Sequence, residues 1–173
     1  IVNAGLINVD AGIVIDAKSG ISGAGRAATD RTHFSENHGS MAAYGVLGHR
    51  HVAEMQQELH AEVTFVPHLV PLDRGILETI YVKTKAGVTA DQISAAMHTT
   101  YANAPFVRLT GDALPEIKHV AYTNFCDIGW KYDAASQRLV LVAVIDNLVK
   151  GAAGQGVQVF NVMHGFDQTM GLL

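Results

Sequence analysis

His49, Arg50 and His51 stand together in "GHRHVAE" (48–54), with Glu54 close behind. The segment reads as the start of a helix over 50–60, because Val52, Met55 and Leu59 repeat at helical spacing. A helix N-terminus presents partial positive charge, so cations are unfavourable there and imidazoles lose basicity. A neutral imidazole near physiological pH is suited to proton transfer. His49 and His51 are therefore candidate acid–base groups. Arg50 needs an offset, from Glu54 one turn on or from an anionic substrate. Two further readings stay open. His49, His51 and Glu54 could ligate a metal, because alternate residues of an extended segment face the same way. The histidines could also be plain surface or capping groups. No second cluster has convincing ligand spacing, so no metal is assigned.

The second constellation is "DAKSGISGAGRAA" (16–28), which follows an apolar stretch and fits the relaxed pattern Gly-x-Gly-x-x-Gly/Ala. A dinucleotide loop needs an amphipathic helix directly after its glycines. Thr29 to Ser40 contain one large apolar side chain, Phe34, so no helix there could bury a face. The glycines fit a different task. Gly20, Gly23 and Gly25 let main-chain amides approach a ligand, Ser19 and Ser22 add hydroxyls, and Lys18 and Arg26 add charge. The sum is an anion site for phosphate or carboxylate, with a flexible surface turn as the alternative.

Three other stretches carry candidate groups. "FVPHLVPLDRG" (65–75) is stiffened by its prolines and could present His68 and Arg74 to a ligand. The plainer reading pairs Arg74 with Asp73 or Glu78. In "DNLVKGAAGQGVQ" (146–158), Gly151, Gly154 and Gly156 cost a helix about 1 kcal/mol each relative to alanine, which suggests close approach of a cofactor or another backbone. Cys126 sits in the apolar "TNFCDIGW" with no adjacent cation, and reads as a buried inert thiol.

These groups sit on a chain of 173 residues with formal net charge −4, which argues against nucleic acid as a partner. No apolar run approaches a membrane span, and a single cysteine excludes an internal disulfide, so a cytoplasmic location is expected. Residues 1–9 read as the tail of a helix. Strands are expected over 11–17, 41–47, 63–71 (cut short by its prolines), 76–84, 105–109, 117–122, 124–130 and 138–146. Thr89 and Gln92 form a capping box before a helix over 90–102, and a last helix spans 147–163. Several strands follow one another without a helix between them from 105 to 146. The fold class is α+β, with a mixed, largely antiparallel sheet covered by helices.

Four motifs, "DAKSGISGAGR" (16–26), "GHRHVAEM" (48–55), "FVPHLVPLDRGI" (65–76) and "NLVKGAAGQGVQ" (147–158), together resemble the N-acetyl-gamma-glutamyl-phosphate reductase family of arginine biosynthesis, in its order and spacing. The resemblance covers the whole chain. It departs at Val52-Ala53-Glu54-Met55, where the family usually has x-Pro-Glu-Ile, and at Val159, where Asn is common.

The resemblance implies a fold similar to the C-terminal domain of glyceraldehyde-3-phosphate dehydrogenase. It implies a catalytic and dimerising domain over 1–146, and a helix and tail over 147–173 that would pack on a nucleotide-binding domain. That domain and the catalytic cysteine would lie upstream, outside these residues. The implied reaction is NADPH-dependent reduction of an acyl phosphate to a semialdehyde through a cysteine thioester. His49, with His51 second, would be the acid–base. Ser19, Ser22, Gly23, Arg26, Arg50, His68 and Arg74 would bind substrate, and Asn147, Lys150 and Gly151 would lie near NADP. The alone-standing chain is expected to be inactive and to form a homo-oligomer, a dimer or tetramer. The alternatives are a metal-binding His-x-His domain or a non-catalytic assembly module.

Overall fold

The computed structural model describes residues 1–27 and 29–173; Ala28, the last position of the glycine pattern, lies outside the described residues. Its seven strands are β1 (Ile13–Gly20), β2 (Ala42–Ala43), β3 (Val63–Val70), β4 (Ile76–Lys83), β5 (Val107–Gly111), β6 (Cys126–Asp133) and β7 (Arg138–Ile145). They form one sheet in the order β2-β3-β1-β4-β7-β6-β5. β3 pairs with β1 and β6 with β5 in parallel, while the other four pairings are antiparallel. The sheet is thus mixed and largely antiparallel, as expected. The near-continuous apolar run of β7 fits its central place, with β4 on one side and β6 on the other.

Alternate side chains face opposite sides of a strand, so each strand splits its residues between two faces. One face carries Ile13, Ile15, Phe65, Val82, Ile128, Trp130, Leu139 and Leu141, all buried in one cluster. Two helices cover it. α2 (His51–Leu59) contributes Val52, Met55 and Leu59, and α3 (Ala90–Tyr101) contributes Ile93 and Met97. α3 starts at the expected capping box, with Thr89 and Gln92 satisfying each other's backbone amides. The opposite face carries Val14 and Tyr81, which sit across from each other and are 38% and 44% exposed. At β6 that face is covered by the 112–120 segment, since a Cβ on Gly129 would stand 3.0 Å from Pro115.

Several expectations are corrected. Residues 1–9 form turns rather than a helix tail. Gly5 and Gly12 take positive φ (70° and 82°), and Ile7 bridges to Thr84 at the sheet edge. The expected strand over 41–47 shrinks to two residues, because Gly45 and Leu47 adopt left-handed conformations (φ 56° and 58°) and turn the chain. The expected strand over 117–122 is a single tight turn, Ile117–His119, followed by the fully buried Val120. The prolines do not cut β3 short. The Pro67 carbonyl points to the outer edge and accepts from the Tyr44 amide (3.0 Å), so its missing N–H lies on the side where β2 has only two residues. The last helix is not uniform. A π-helical turn, Val149–Ala153, precedes the second long segment, α4 (Gly154–Met163), after the short α1 (Phe34–Asn37) and the two helices above in number.

One carboxylate ties these parts together. Asp146, 0% exposed, accepts hydrogen bonds from the amides of Tyr122 (2.7 Å), Leu148 (2.8 Å) and Val149 (3.0 Å). Arg74 completes the set through Nη1 at 3.1 Å and lies 4.4 Å from the Tyr122 ring centre. Burial by itself pushes the Asp146 carboxyl up, but these donors outweigh it and hold it below its ordinary value. Arg74 is thus paired with Asp146, not with Asp73 or Glu78.

Two stability predictions follow from these contacts. Asp146→Ala strands the Arg74 cation and three amides, and should cost about 3–5 kcal/mol in urea unfolding. Because the folded pKa is depressed, the Asp146 contribution is present above the unfolded value of 3.8 and is lost as pH falls below it. An Asp146→Asn variant should therefore show a flatter acid limb of stability than the wild type. At the π–α junction, a Cβ on Gly154 would press on Asn124 and stand 2.9 Å from the Val149 carbonyl, whereas one on Gly156 meets nothing within 4 Å. Gly154→Ala should destabilise by about 1–3 kcal/mol, and Gly156→Ala should stabilise by about 1 kcal/mol. Equal shifts in the two unfolding midpoints would refute the close-approach account.

Candidate functional site

β1 ends at Gly20, and the serine–glycine bend continues as a tight turn, Ile21–Ala24. The bend is pinned from below. The Gly20 amide donates to Gly75 O (2.9 Å) and the Ile21 amide to Leu72 O (2.8 Å). A Cβ on Gly20 would stand 2.8 Å from the Leu72 carbonyl, so a larger residue would push the bend off the β3–β4 connection. Asn147 fixes the bend from the side. Its Nδ2 donates to Ser22 Oγ (2.9 Å), and its Oδ1 accepts from the Gly75 amide (2.7 Å). Gly23 then lies directly over Ser19, whose hydroxyl would be 2.7 Å from a Cβ there.

The other half comes from the turn before α2. The Gly48 amide donates to Gly45 O (3.0 Å), which folds the turn around His49; a Cβ on Gly45 would stand 3.2 Å from the imidazole. The ring is walled by Tyr44, Phe65 and His51, with centroid separations of 5.6, 5.2 and 4.7 Å. The His51 amide donates to His49 Nδ1 (3.3 Å), which leaves the proton of the neutral ring on Nε2. Burial, then the neighbouring His51 and Arg50, lower the His49 pKa from 6.5, so the ring is uncharged at neutral pH.

The two halves meet around one cavity of about 350 Å³, lined by Gly23 and Ala24 of the bend and by Tyr44, His49 and Arg50 of the turn. Arg31 lines it from a third segment. Among the described residues neither Arg31 nor Arg50 has a carboxylate within ion-pair distance, so Glu54 does not offset Arg50. The cavity is therefore lined by a neutral imidazole, two arginines and a glycine bend, a set suited to an anionic ligand whose oxygen gains charge. Among the described residues no three His, Cys, Asp or Glu side chains come together to hold a metal ion, which removes support from the His49–His51–Glu54 metal reading.

Other candidates from the sequence lie elsewhere. His51 is exposed and touches the cavity only through His49. Arg26 is exposed and outside the cavity lining. His68 points to the opposite sheet face, where its Nδ1 is 3.1 Å from Asp16, itself paired with Lys18. The one-residue alternation of β3 puts His68 and Phe65 on opposite sides, and Phe65 is the one beside His49. Arg74 is held by Asp146, and the Asn147 amide by Ser22 and Gly75. Lys150 turns inward, donating to Gln158 Oε1 (2.7 Å), and burial lowers its pKa. Gly151 is exposed, with its amide on Asp146 O (3.0 Å). The Cys126 thiol is pushed up to about 11, chiefly by burial, so it holds no thiolate near neutral pH.

The structure adds residues that pattern reading passed over. Tyr44 had a signal, an aromatic residue one short turn before the histidine pair. Arg31 and Asn37 had none, because they lie in a polar stretch without periodicity. Among the described residues no helix is long and apolar enough to cross a membrane.

Residues 1–147 match the family model described as semialdehyde dehydrogenase, dimerisation domain. N-acetyl-gamma-glutamyl-phosphate reductase of Shouchella clausii is 47% identical over 99% of this chain and 52% of its own length. The protein of the same name from Syntrophobacter fumaroxidans is 47% identical over 92% of this chain and 48% of its own. The chain spans about half the length of these curated relatives. In structure it is similar to aspartate semialdehyde dehydrogenase II of Vibrio cholerae, with TM-score 0.68 at 19% identity over 90% of this chain and 55% of that one. The Francisella tularensis aspartate semialdehyde dehydrogenase gives TM-score 0.68 at 15% identity, covering 93% and 60%. This chain belongs to the semialdehyde dehydrogenase dimerisation-domain family, on the side of it represented by N-acetyl-gamma-glutamyl-phosphate reductases.

Proposed function

We propose that this chain is the substrate-binding and self-associating half of an NADPH-dependent reductase that converts N-acetyl-gamma-glutamyl phosphate to N-acetylglutamate semialdehyde and phosphate. The observation that carries the reading is the shared cavity, in which the serine–glycine bend and the neutral His49 face one space. The relatives' name supplies the substrate.

In this reading a cysteine thiolate from sequence outside these residues attacks the acyl carbon, and phosphate leaves. NADPH, held mainly by sequence outside this chain, supplies the hydride that reduces the resulting thioester. His49 Nε2–H donates a hydrogen bond to the acyl oxygen as it gains charge and holds the tetrahedral alkoxide formed by hydride addition; the alkoxide then collapses to the aldehyde and expels the thiolate, so the ring keeps its proton throughout. Arg50 and the bend at Gly23, backed by Ser19 and Ser22, hold the phosphate. The Asn147 and Lys150 side chains are engaged inside the protein, so they do not fit a direct grip on the cofactor; the exposed Gly151, with no side chain, would let it approach closely.

Two surfaces support the rest of the assembly. The sheet face bearing Val14 and Tyr81 would be covered by a second copy, in keeping with the family's description. The exposed Phe160 and Met163 on α4 would rest against the nucleotide-binding part. In the full-length protein, Tyr81→Asp should yield smaller species in sedimentation. Phe160→Asp should leave the association state alone and weaken NADP binding. The converse result would reverse the two assignments.

The reaction is tested by phosphate-dependent oxidation of N-acetylglutamate semialdehyde with NADP, using the full-length gene product. His49→Asn should lower kcat by about 10²–10⁴-fold, while Cys126→Ala should leave it within about twofold. The acid limb of the wild-type pH profile should lie below 6.5, the ordinary histidine value, because His49 is depressed from it. Full activity in the His49 variant would end this reading.

A further inference from the structure

We infer that Arg31 is a specificity-determining residue of the cavity and grips the substrate's α-carboxylate, the charge remote from the reacting carbon. This rests on the reaction proposed above. The acyl carbon must react beside His49. Its phosphate is bonded to that carbon, so it falls to Arg50, the neighbour of His49 in the chain, and to the bend at Gly23. Three carbons separate the acyl carbon from the α-carboxylate, so that second anion lies away from His49. Arg31 is the cation that lines the same cavity from a different segment.

The protein holds Arg31 in place by two means. Asn37, 8% exposed in an otherwise exposed stretch, donates through Nδ2 to Arg31 O and to His33 O (3.4 Å), fastening the backbone that carries the arginine. The guanidinium donates through Nη2 to Ala43 O (3.1 Å), which fixes its direction while leaving other N–H groups free of carboxylate partners among the described residues. A planar guanidinium with one arm anchored is preorganised for a carboxylate. Arg31 and Arg50 line one cavity, and two anions on one ligand would offset both charges. Arg26, the arginine that the sequence motif singled out, does not line this space.

The test uses the full-length enzyme with two aldehydes, N-acetylglutamate semialdehyde and 4-acetamidobutanal, which lacks the α-carboxylate. Wild type should favour the first strongly in kcat/KM. Arg31→Ala should raise KM for the first aldehyde at least about tenfold with kcat within about twofold, leave KM for inorganic phosphate unchanged, and erase most of the preference. Arg31→Gln should behave alike and guards against a folding defect. An active Arg31→Ala enzyme that keeps the preference overturns the inference, as does a rise confined to KM for phosphate. A wild-type enzyme that oxidises neither aldehyde defeats the proposed reaction itself, and this inference with it.

Discussion

The buried pair Asp146-Asn147 is the constraint on which the site depends. It stands where β7 ends, and its two side chains reach four separate places in the chain. Asp146 holds Arg74, the Tyr122 turn and the start of the π-helical segment. Asn147 holds the serine–glycine bend and the β3–β4 connection. Each of these loops lies outside the strand ladders, so its backbone groups need partners elsewhere. A fully buried carboxylate is tolerated only with a full set of donors, and here the donors come from the loops that must be positioned. Satisfying this charge fixes the loops around Asn147, whose side chain in turn holds the bend that faces the cavity.

A second arrangement concerns charge. The chain as a whole is mildly acidic, yet the cavity is lined by Arg31 and Arg50 with no paired carboxylates among the described residues. Elsewhere Arg74 and Arg108 each have a nearly or fully buried aspartate. Arg74 and Arg108 thus stabilise loops through their aspartates, whereas Arg31 and Arg50 line the space where a ligand would supply the counter-charge. Burial first, and then His51 and Arg50, depress His49 and keep it neutral. Arg50 thus serves anion binding and also helps keep the ring an uncharged hydrogen-bond donor.

Glycines contribute where a side chain would collide with a fixed neighbour. Gly20 meets the Leu72 carbonyl, Gly23 the Ser19 hydroxyl and Gly154 the Asn124 amide and Val149 carbonyl. Gly156 and Gly25 have open space around the missing Cβ, although Gly25 needs its left-handed backbone (φ 85°). In the glycine-rich "KGAAGQG" the three glycines are alike in sequence and different in duty, because only one lies at the crossing with the 122–125 turn.

What the sequence determined by itself was local. The apolar run of β7, the capping box of α3 and the helical spacing of Val52, Met55 and Leu59 declare their elements through short-range periodicity, and the α+β class follows from them. A lowered basicity of His49 is expected from the helix start, and the structure gives it a different cause, burial first and then the neighbouring His51 and Arg50. Pro67 misled because a proline breaks a strand only on a side that needs an N–H, and which side that is depends on β2. His68, Arg74, Asn147 and Lys150 could not be sorted into ligand-facing and structural groups, because their partners Asp16, Asp146, Ser22 and Gln158 were fixed by sheet register and loop packing. Arg31 came to the cavity through Asn37 and Ala43, contacts that no spacing announces. Tertiary structure alone decided which cations were left without a carboxylate, since pairing is a property of distance in space and sequence records only distance along the chain.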